Sequence, residues 1–450
     1  MATKDTHVKL SAVGHQHDEA AERTPGRLDV RTIPIADPGD LIDRLPEPGA
    51  LAWVRHGDGL VGWGTAARIT LPAGQDRFVT GEKWLRELFD GARVADEVAA
   101  PGTGPVAFGS FTFDPASDGS VLVVPTTVIG RRDGTAWLTT IGSAERRPAK
   151  PAPSEPARAE PAPAGLPDPV PPVMPTVVRW ADGSLTAPQW ERAVAAAVAA
   201  ISAGSLRKVV LALELNATAA ADIDARVLLS RLAGRYPDCY TFACDGLLGA
   251  TPELLIRRTE RQLHSLVLAG TMPRGGTPAA DRALGAALLA SPKDREEHQY
   301  AVADVRAALE PLCADLRVDE QPSLLQLANV QHLATQVHGQ LPPDEAASHS
   351  ALALAAALHP TAAICGTPAE AAMELIRELE GMDRGRYSGP VGWVDAKGNG
   401  EWGIALRCGL VGGRNARLFA GCGIVADSDP PAEVAEAQTK FWPMRYALEG

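Results

Sequence analysis

From Gly49 onward, short apolar runs alternate with turns rich in Gly and Asp, a pattern that predicts strands. LAWVRHGDGLVGWGTAARITL doubles back at HGDG, as a hairpin does. PVAFGSFTF, SVLVVPTTVIGRR and AWLTTIG read as further strands separated by Asp and Gly turns. A helix is expected from Gly81 to Gly91, where Trp84, Leu85 and Leu88 share a face. This first part reads as half of an antiparallel sheet rather than as a catalytic unit.

The pattern breaks twice. Residues 1–28 are mostly polar and aperiodic, a flexible leader, and residues 148–176 are dominated by Pro and Ala, a composition that forms a linker or long surface loop rather than a core. The breaks leave a strand-rich part over 29–147 and a C-terminal part over 177–450. The latter opens with a helix: Pro188 lies near its start, Trp190, Val194, Val198 and Ile201 recur at helical spacing, and Gly204 ends it. LRKVVLALEL, CYTFAC, LLGATPELLIRR and HSLVLAGTMPRGG follow as strands. SPKDREEHQYAVADVRAALEPL and PAEAAMELIRELEG read as helices, LHPTAAICGTP as a loop. RYSGPVGWVDAKGNGEWGIALRCGLV reads as a hairpin turning at Asp395 to Gly400, with Tyr387 on one strand and Arg407 on the other.

The final stretch carries the densest candidate chemistry. In AGCGIVADSDPPAEVAEAQTK, Gly421 and Gly423 leave the backbone bare for a ligand's approach. Ser428 and Asp429 are candidate caps, and Pro430 and Pro431 suit a first helical turn. Glu433, Glu436 and Lys440 then share one helix face, able to hold a divalent metal and an anion; a solvated face with a Glu436–Lys440 pair has the same spacing. Glu297, near the start of an acidic helix, can complete a metal site with Glu436, and oxygen donors favour magnesium. Lys208 at a strand mouth is either an edge guard or a general base. Glu253, inside apolar sequence, is either a paired core carboxylate or an acid of raised pKa. Ala269, Gly270 and Thr271 end a strand with a bare backbone and a hydroxyl; His332 lies in apolar context, where a histidine is more often structural. Arg407, late in its strand, suits bidentate capture of a carboxylate.

Composition narrows the class. Hydrophobic content of 45% and charged content of 22% are those of an ordinary globular protein. A net charge of −12 argues against nucleic-acid binding, and no apolar run reaches the roughly 18 residues of a membrane span. With six cysteines scattered outside any CxxC pairing and no secretory-type leader, a cytoplasmic location is expected, without zinc or disulfides.

Taken together and in order, KVVLALEL, TPELLIRR, LAGT, KDREEH, VQHLAT, LHPTAAICG, YSGPVGWVDAKGNGEW, ALRC and AGCGIV followed by ExxExxxK resemble the chorismate-utilising enzymes. That family includes anthranilate, aminodeoxychorismate, salicylate and isochorismate synthases. The resemblance runs from about residue 188 to 441, and GDGLVGWG and FGSFTFDP extend it toward the isochorismate synthase branch. It departs at Ala212 and Leu213, where many relatives have Ser-Arg, and at Ala362, where many have Pro.

The resemblance implies an α+β fold of two large, mostly antiparallel sheets packed together and flanked by helices, with chorismate bound between them. Carried over position by position, Glu297 and Glu436 match magnesium ligands, with Glu433 in support. Lys440, Tyr387, Arg407 and the Gly421–Gly423 backbone match groups that hold substrate carboxylates; His332 and Ala269 to Thr271 match residues that line the ring. Lys208 matches the base that activates water and Glu253 the acid that protonates the leaving hydroxyl. Ammonia-using members lack a lysine at the Lys208 position, and aminodeoxychorismate synthases carry one where this chain has Ala269. Water is therefore the implied nucleophile, no glutaminase subunit is expected, and a monomer is expected rather than an oligomer. LHPT and GNGEW favour isochorismate as product, feeding menaquinone or siderophore synthesis. Salicylate synthase, or a chorismate-binding relative without activity, is the alternative.

Overall fold

A computed structural model of the chain describes residues 27–46, 49–143, 171–174, 177–346 and 348–450. The leader expected over 1–28 and the linker expected over 148–176 fall almost wholly outside these residues. Two sheets, of thirteen and ten strands, are flanked by helices, the α+β architecture expected from the sequence. Among the described residues every strand pairing is antiparallel except that of Leu28–Ile35 with Arg93–Asp96.

The strands before residue 144 are not half of one sheet. Leu28–Ile35, Leu51–Arg55, Asp58–Trp63, Thr127–Arg132 and Thr135–Ser143 extend the larger sheet, whereas Ala67–Leu71, Val106–Ser110 and Ser120–Val124 extend the smaller. Their alternation supplies inward faces to both layers, so Trp53 and Phe108 are buried with Trp393 and Trp402 from the C-terminal half. Aromatic side chains of this size dominate the apolar area that a two-sheet core removes from water. N- and C-terminal segments thus share both sheets: Leu51–Arg55 pairs with Tyr240–Cys244, and Val106–Ser110 with Pro390–Asp395.

The chain crosses between the sheets at two neighbouring places. Leu247–Thr251 lies in the larger sheet and Leu254–Thr259 in the smaller, so Pro252 and Glu253 make the switch. Gly400–Ile404 and Cys408–Gly412 do the same through Ala405 to Arg407. The crossings run side by side: Ile404 N–H donates to the Glu253 carbonyl and Ala250 N–H to that of Arg407. Tyr387 and Arg407 therefore lie in the turns flanking the hairpin, not on its strands, and Arg407 has φ +49°. Changing sheets requires a bend that an extended strand cannot make.

The helix expected from Gly81 begins earlier, spanning Arg77–Asp90. Helices Ala225–Arg235, Pro278–Ala290 and Ala351–Leu358 have no counterpart in the sequence reading.

Candidate active site

A cleft opens where the two crossings meet. Val210, Gly421 and Gly423 from the larger sheet form one wall, and Leu268 to Thr271 with His332 from the smaller form the other. Glu253 and Arg407 project from the crossings. Two helices close the remaining side: Pro292–Leu309 brings Lys293, Asp294 and Glu297, and Pro430–Glu449 brings Glu433, Glu436 and Lys440.

Local sequence explains each placement. Asp429 caps the last helix by accepting from Ala432 N–H, with Pro430 and Pro431 in its first turn. Ser291 caps the other by accepting from Asp294 N–H. Gly270, at φ +76°, makes a bulge between Ala269 and Thr271 that turns Thr271 against His332. A Cβ on Gly423 would meet Glu297 Oε1 at 2.1 Å, so only glycine lets that carboxylate lie against the strand.

The cleft pairs carboxylates with ammonium groups. Glu436 Oε1 lies 2.6 Å from Lys440 Nζ, Glu433 Oε1 2.9 Å from Lys293 Nζ, and Glu297 Oε1 3.1 Å from Lys208 Nζ. Lys440 also donates to the Gly421 carbonyl at 2.8 Å, tying helix to strand. Burial opposes ionisation of Glu436, but the Lys440 ammonium overcomes it and keeps the carboxyl below its usual range. Glu433 goes the other way, raised by burial and by the neighbouring Glu436 charge.

Thirteen of the fourteen residues singled out from the sequence line this one cleft: Glu253, Ala269, Gly270, Thr271, Glu297, His332, Tyr387, Arg407, Gly421, Gly423, Glu433, Glu436 and Lys440. The exception is Lys208. It is fully buried behind Glu297, and beyond that ion pair its ammonium has no hydrogen-bond partner among the described residues. A strand-edge guard would be exposed, so that alternative is removed.

Burial pushes the Glu253 carboxyl up to about 8, against the opposing pull of Lys208 and Arg407. His332 is driven down to about 3 by burial, with Arg407 and Lys440 adding to the effect, and is neutral. Its Nδ1 lies 3.3 Å from the Gly270 carbonyl, which accepts a hydrogen bond there and leaves Nε2 as an acceptor. Tyr387 stacks on Phe419 at 4.9 Å, and burial raises its hydroxyl to about 12. Among the described residues no carboxylate lies within ion-pair distance of Arg407, which lines the cleft.

Sequence reasoning missed Lys293 and Asp294, both in the cleft. They stand one turn before Glu297 on its helix, spacing that would have put them on the same face.

The acidic residues suit a hard divalent cation. Oxygens of Glu433 and Glu436 and the Cys422 sulfur lie within 4.8 Å of one another, and burial holds that thiol far above its usual pKa, so carboxylate oxygens are the available donors.

The comparisons with known proteins agree with this geometry. A family described as "Chorismate binding enzyme" matches residues 48–449. A Mycobacterium tuberculosis protein provisionally named isochorismate synthase MenF is 39% identical over 377 residues, 81% of this chain and 92% of its own. Isochorismate synthase DhbC of Bacillus subtilis is 42% identical over 270 residues, 58% of this chain and 67% of its own. The structure of MenF, the menaquinone-specific isochorismate synthase of Escherichia coli, superimposes with a TM-score of 0.74 at 25% identity, covering 95% of both chains. The chain belongs to the chorismate-binding enzyme family.

Proposed function

We propose that the protein is a magnesium-dependent isochorismate synthase that adds water at ring C2 of chorismate as the C4 hydroxyl leaves. The observation that carries this reading is Glu253, an acid held protonated near neutrality, in the same cleft as three glutamates with a buried lysine behind them. An acid and a base of separated proton affinity are what addition of water and loss of hydroxide require.

Arg407, Lys440 and the bare backbone at Gly421 and Gly423 hold the substrate's carboxylates, and Tyr387 flanks them. Glu297 and Glu436, supported by Glu433, would hold magnesium, which would supply positive charge against the ring carboxylate. Acting as the neutral amine, Lys208 takes a proton from water as the water oxygen bonds to C2. The ring double bonds shift, the C4–O bond breaks, and Glu253 gives its proton to the departing oxygen, which leaves as water. Proton and oxygen counts balance, so the product is an isomer. His332, Ala269, Gly270 and Thr271 bound the ring. Glu297 covers Lys208 and must move aside for water to reach the amine.

Water as nucleophile requires no ammonia-delivering subunit. Free cysteines suit a cytoplasmic setting, and no described helix is long and apolar enough to cross a membrane. The product feeds menaquinone or siderophore synthesis. Chromatography of chorismate incubated with protein and magnesium tests the reading: isochorismate as main product supports it. Salicylate with pyruvate would make the protein a salicylate synthase, and binding without turnover an inactive relative; either result overturns it.

A further inference from the structure

The outer edge of the strand Lys208–Ala219 is incomplete. Gly366–Thr367 pairs with Lys208 and Val209, Val178–Asp182 pairs from Leu215 onward, and among the described residues no strand lies alongside between them. Buried backbone groups facing such a gap need partners, and four of them find partners that are not strands. Val210 N–H donates to the Cys365 carbonyl at 2.7 Å, and the Val210 carbonyl accepts from Arg384 Nη2 at 2.7 Å. Ala212 N–H donates to Glu380 Oε1 at 2.7 Å, and the Ala212 carbonyl accepts from Trp190 Nε1 at 2.9 Å.

Arg384 and Glu380 are paired to each other, with side chains only 2% and 1% exposed. Arg384 Nε donates to Glu380 Oε2 at 2.9 Å, its Nη1 donates to the Ile364 carbonyl at 3.1 Å, and its guanidinium lies over the Phe113 ring. The turn carrying Tyr387 and Ser388 begins at the same residue, since Tyr387 N–H donates to the Arg384 carbonyl. Val210, Ile364 and Tyr387 each line the cleft, on three different segments. Arg384 therefore bonds to all three, through its guanidinium to the first two and through its own carbonyl to the third.

We propose that Arg384, held in place by Glu380, is a positioning residue for the reaction: it replaces a missing strand and fixes the Lys208 strand, the 361–365 loop and the Tyr387 turn relative to one another. This rests on reading the cleft as the chorismate site. Arg407 and Lys440 come from elements that Arg384 does not touch, whereas Gly421 and Gly423 pair with Ala212 and Val210 of the strand it holds. Losing the clamp thus leaves the two cationic anchors of the substrate in place while displacing Lys208, two residues from Val210. A displacement near 1 Å costs on the order of 100-fold in turnover.

Arg384→Met alone leaves Glu380 buried and unpaired, so the double variant Glu380→Gln/Arg384→Met, in which no charge is stranded, is the main test. Calorimetric titration with chorismate and magnesium counts intact sites per chain, and chorismate consumption gives kcat per intact site. The expected result is close to one site per chain, a Kd within about threefold of wild type, and kcat per site down about 100-fold, with Arg384→Lys recovering part of the loss. A kcat per site within about threefold of wild type, or a loss of turnover that only tracks a loss of sites, overturns the proposal. Should the wild type bind chorismate without turnover, the functional reading fails separately. The clamp is then judged by hydrogen exchange at Ala212: lost protection in the double variant supports it, and unchanged protection overturns it.

Discussion

Glu253→Gln puts the proposed acid to a quantitative test, because glutamine copies the neutral carboxyl that burial already favours. The side chain is 5% exposed, and its pKa stands at about 8 against an ordinary value of 4.5. Below pH 4.5 the group is protonated in both folded and unfolded chains and contributes no pH dependence. Between 4.5 and about 8 the unfolded chain releases the proton and the folded chain retains it, so stability falls as pH rises. At about 1.36 kcal/mol per pH unit the whole displacement amounts to roughly 5 kcal/mol, complete above pH 8. The variant is spared this penalty. Its urea midpoint, compared with wild type, should differ little at pH 5 and exceed it increasingly up to pH 8. Turnover at neutral pH should fall about 100-fold or more, as expected for a lost acid. In the wild type, kcat/KM should decline above pH 8 as Glu253 ionises. A stability difference that does not change with pH, or near wild-type turnover in the variant, refutes the reasoning.

The same geometry sets three further outcomes. Lys208→Ala should lower turnover by about 100-fold or more in the chorismate-consumption assay, because no other group replaces the base. Glu436→Ala should abolish the magnesium dependence of chorismate binding, measured by titration with and without the metal. Gly423→Ala should leave the strand intact but push the end of the Glu297 side chain aside, since the new Cβ would lie 2.1 Å from its oxygen. Magnesium affinity in that variant should drop about tenfold or more by calorimetry, with little change in thermal midpoint.

What the sequence made legible was local. Asp429, Pro430 and Pro431 mark a helix start through their own backbone preferences, and the structure begins the helix there. Glu433, Glu436 and Lys440 come next, at spacings that bring them to one cleft. Gly270 and Gly423 could be recognised as positions needing bare backbone, though not which atoms would approach them. The helices Pro278–Ala290 and Ala351–Leu358 went unseen because Ala-rich segments carry little contrast between their faces. The split of the first strands between two sheets depends on pairing partners more than a hundred residues away, as with Trp393 opposite Phe108. The positive φ of Arg407 arises from a sheet crossing that no local pattern announces. Lys208 and Arg384 show the same limit. A lysine at a strand mouth and an arginine four residues after a glutamate look like ordinary surface charges until tertiary packing buries them.

The most direct test of water attack at C2 is to run the reaction in water enriched in oxygen-18 and locate the label in the product by NMR and mass spectrometry. The account predicts isochorismate carrying oxygen-18 at the C2 hydroxyl. Isochorismate without the label, or no isochorismate at all, would contradict it.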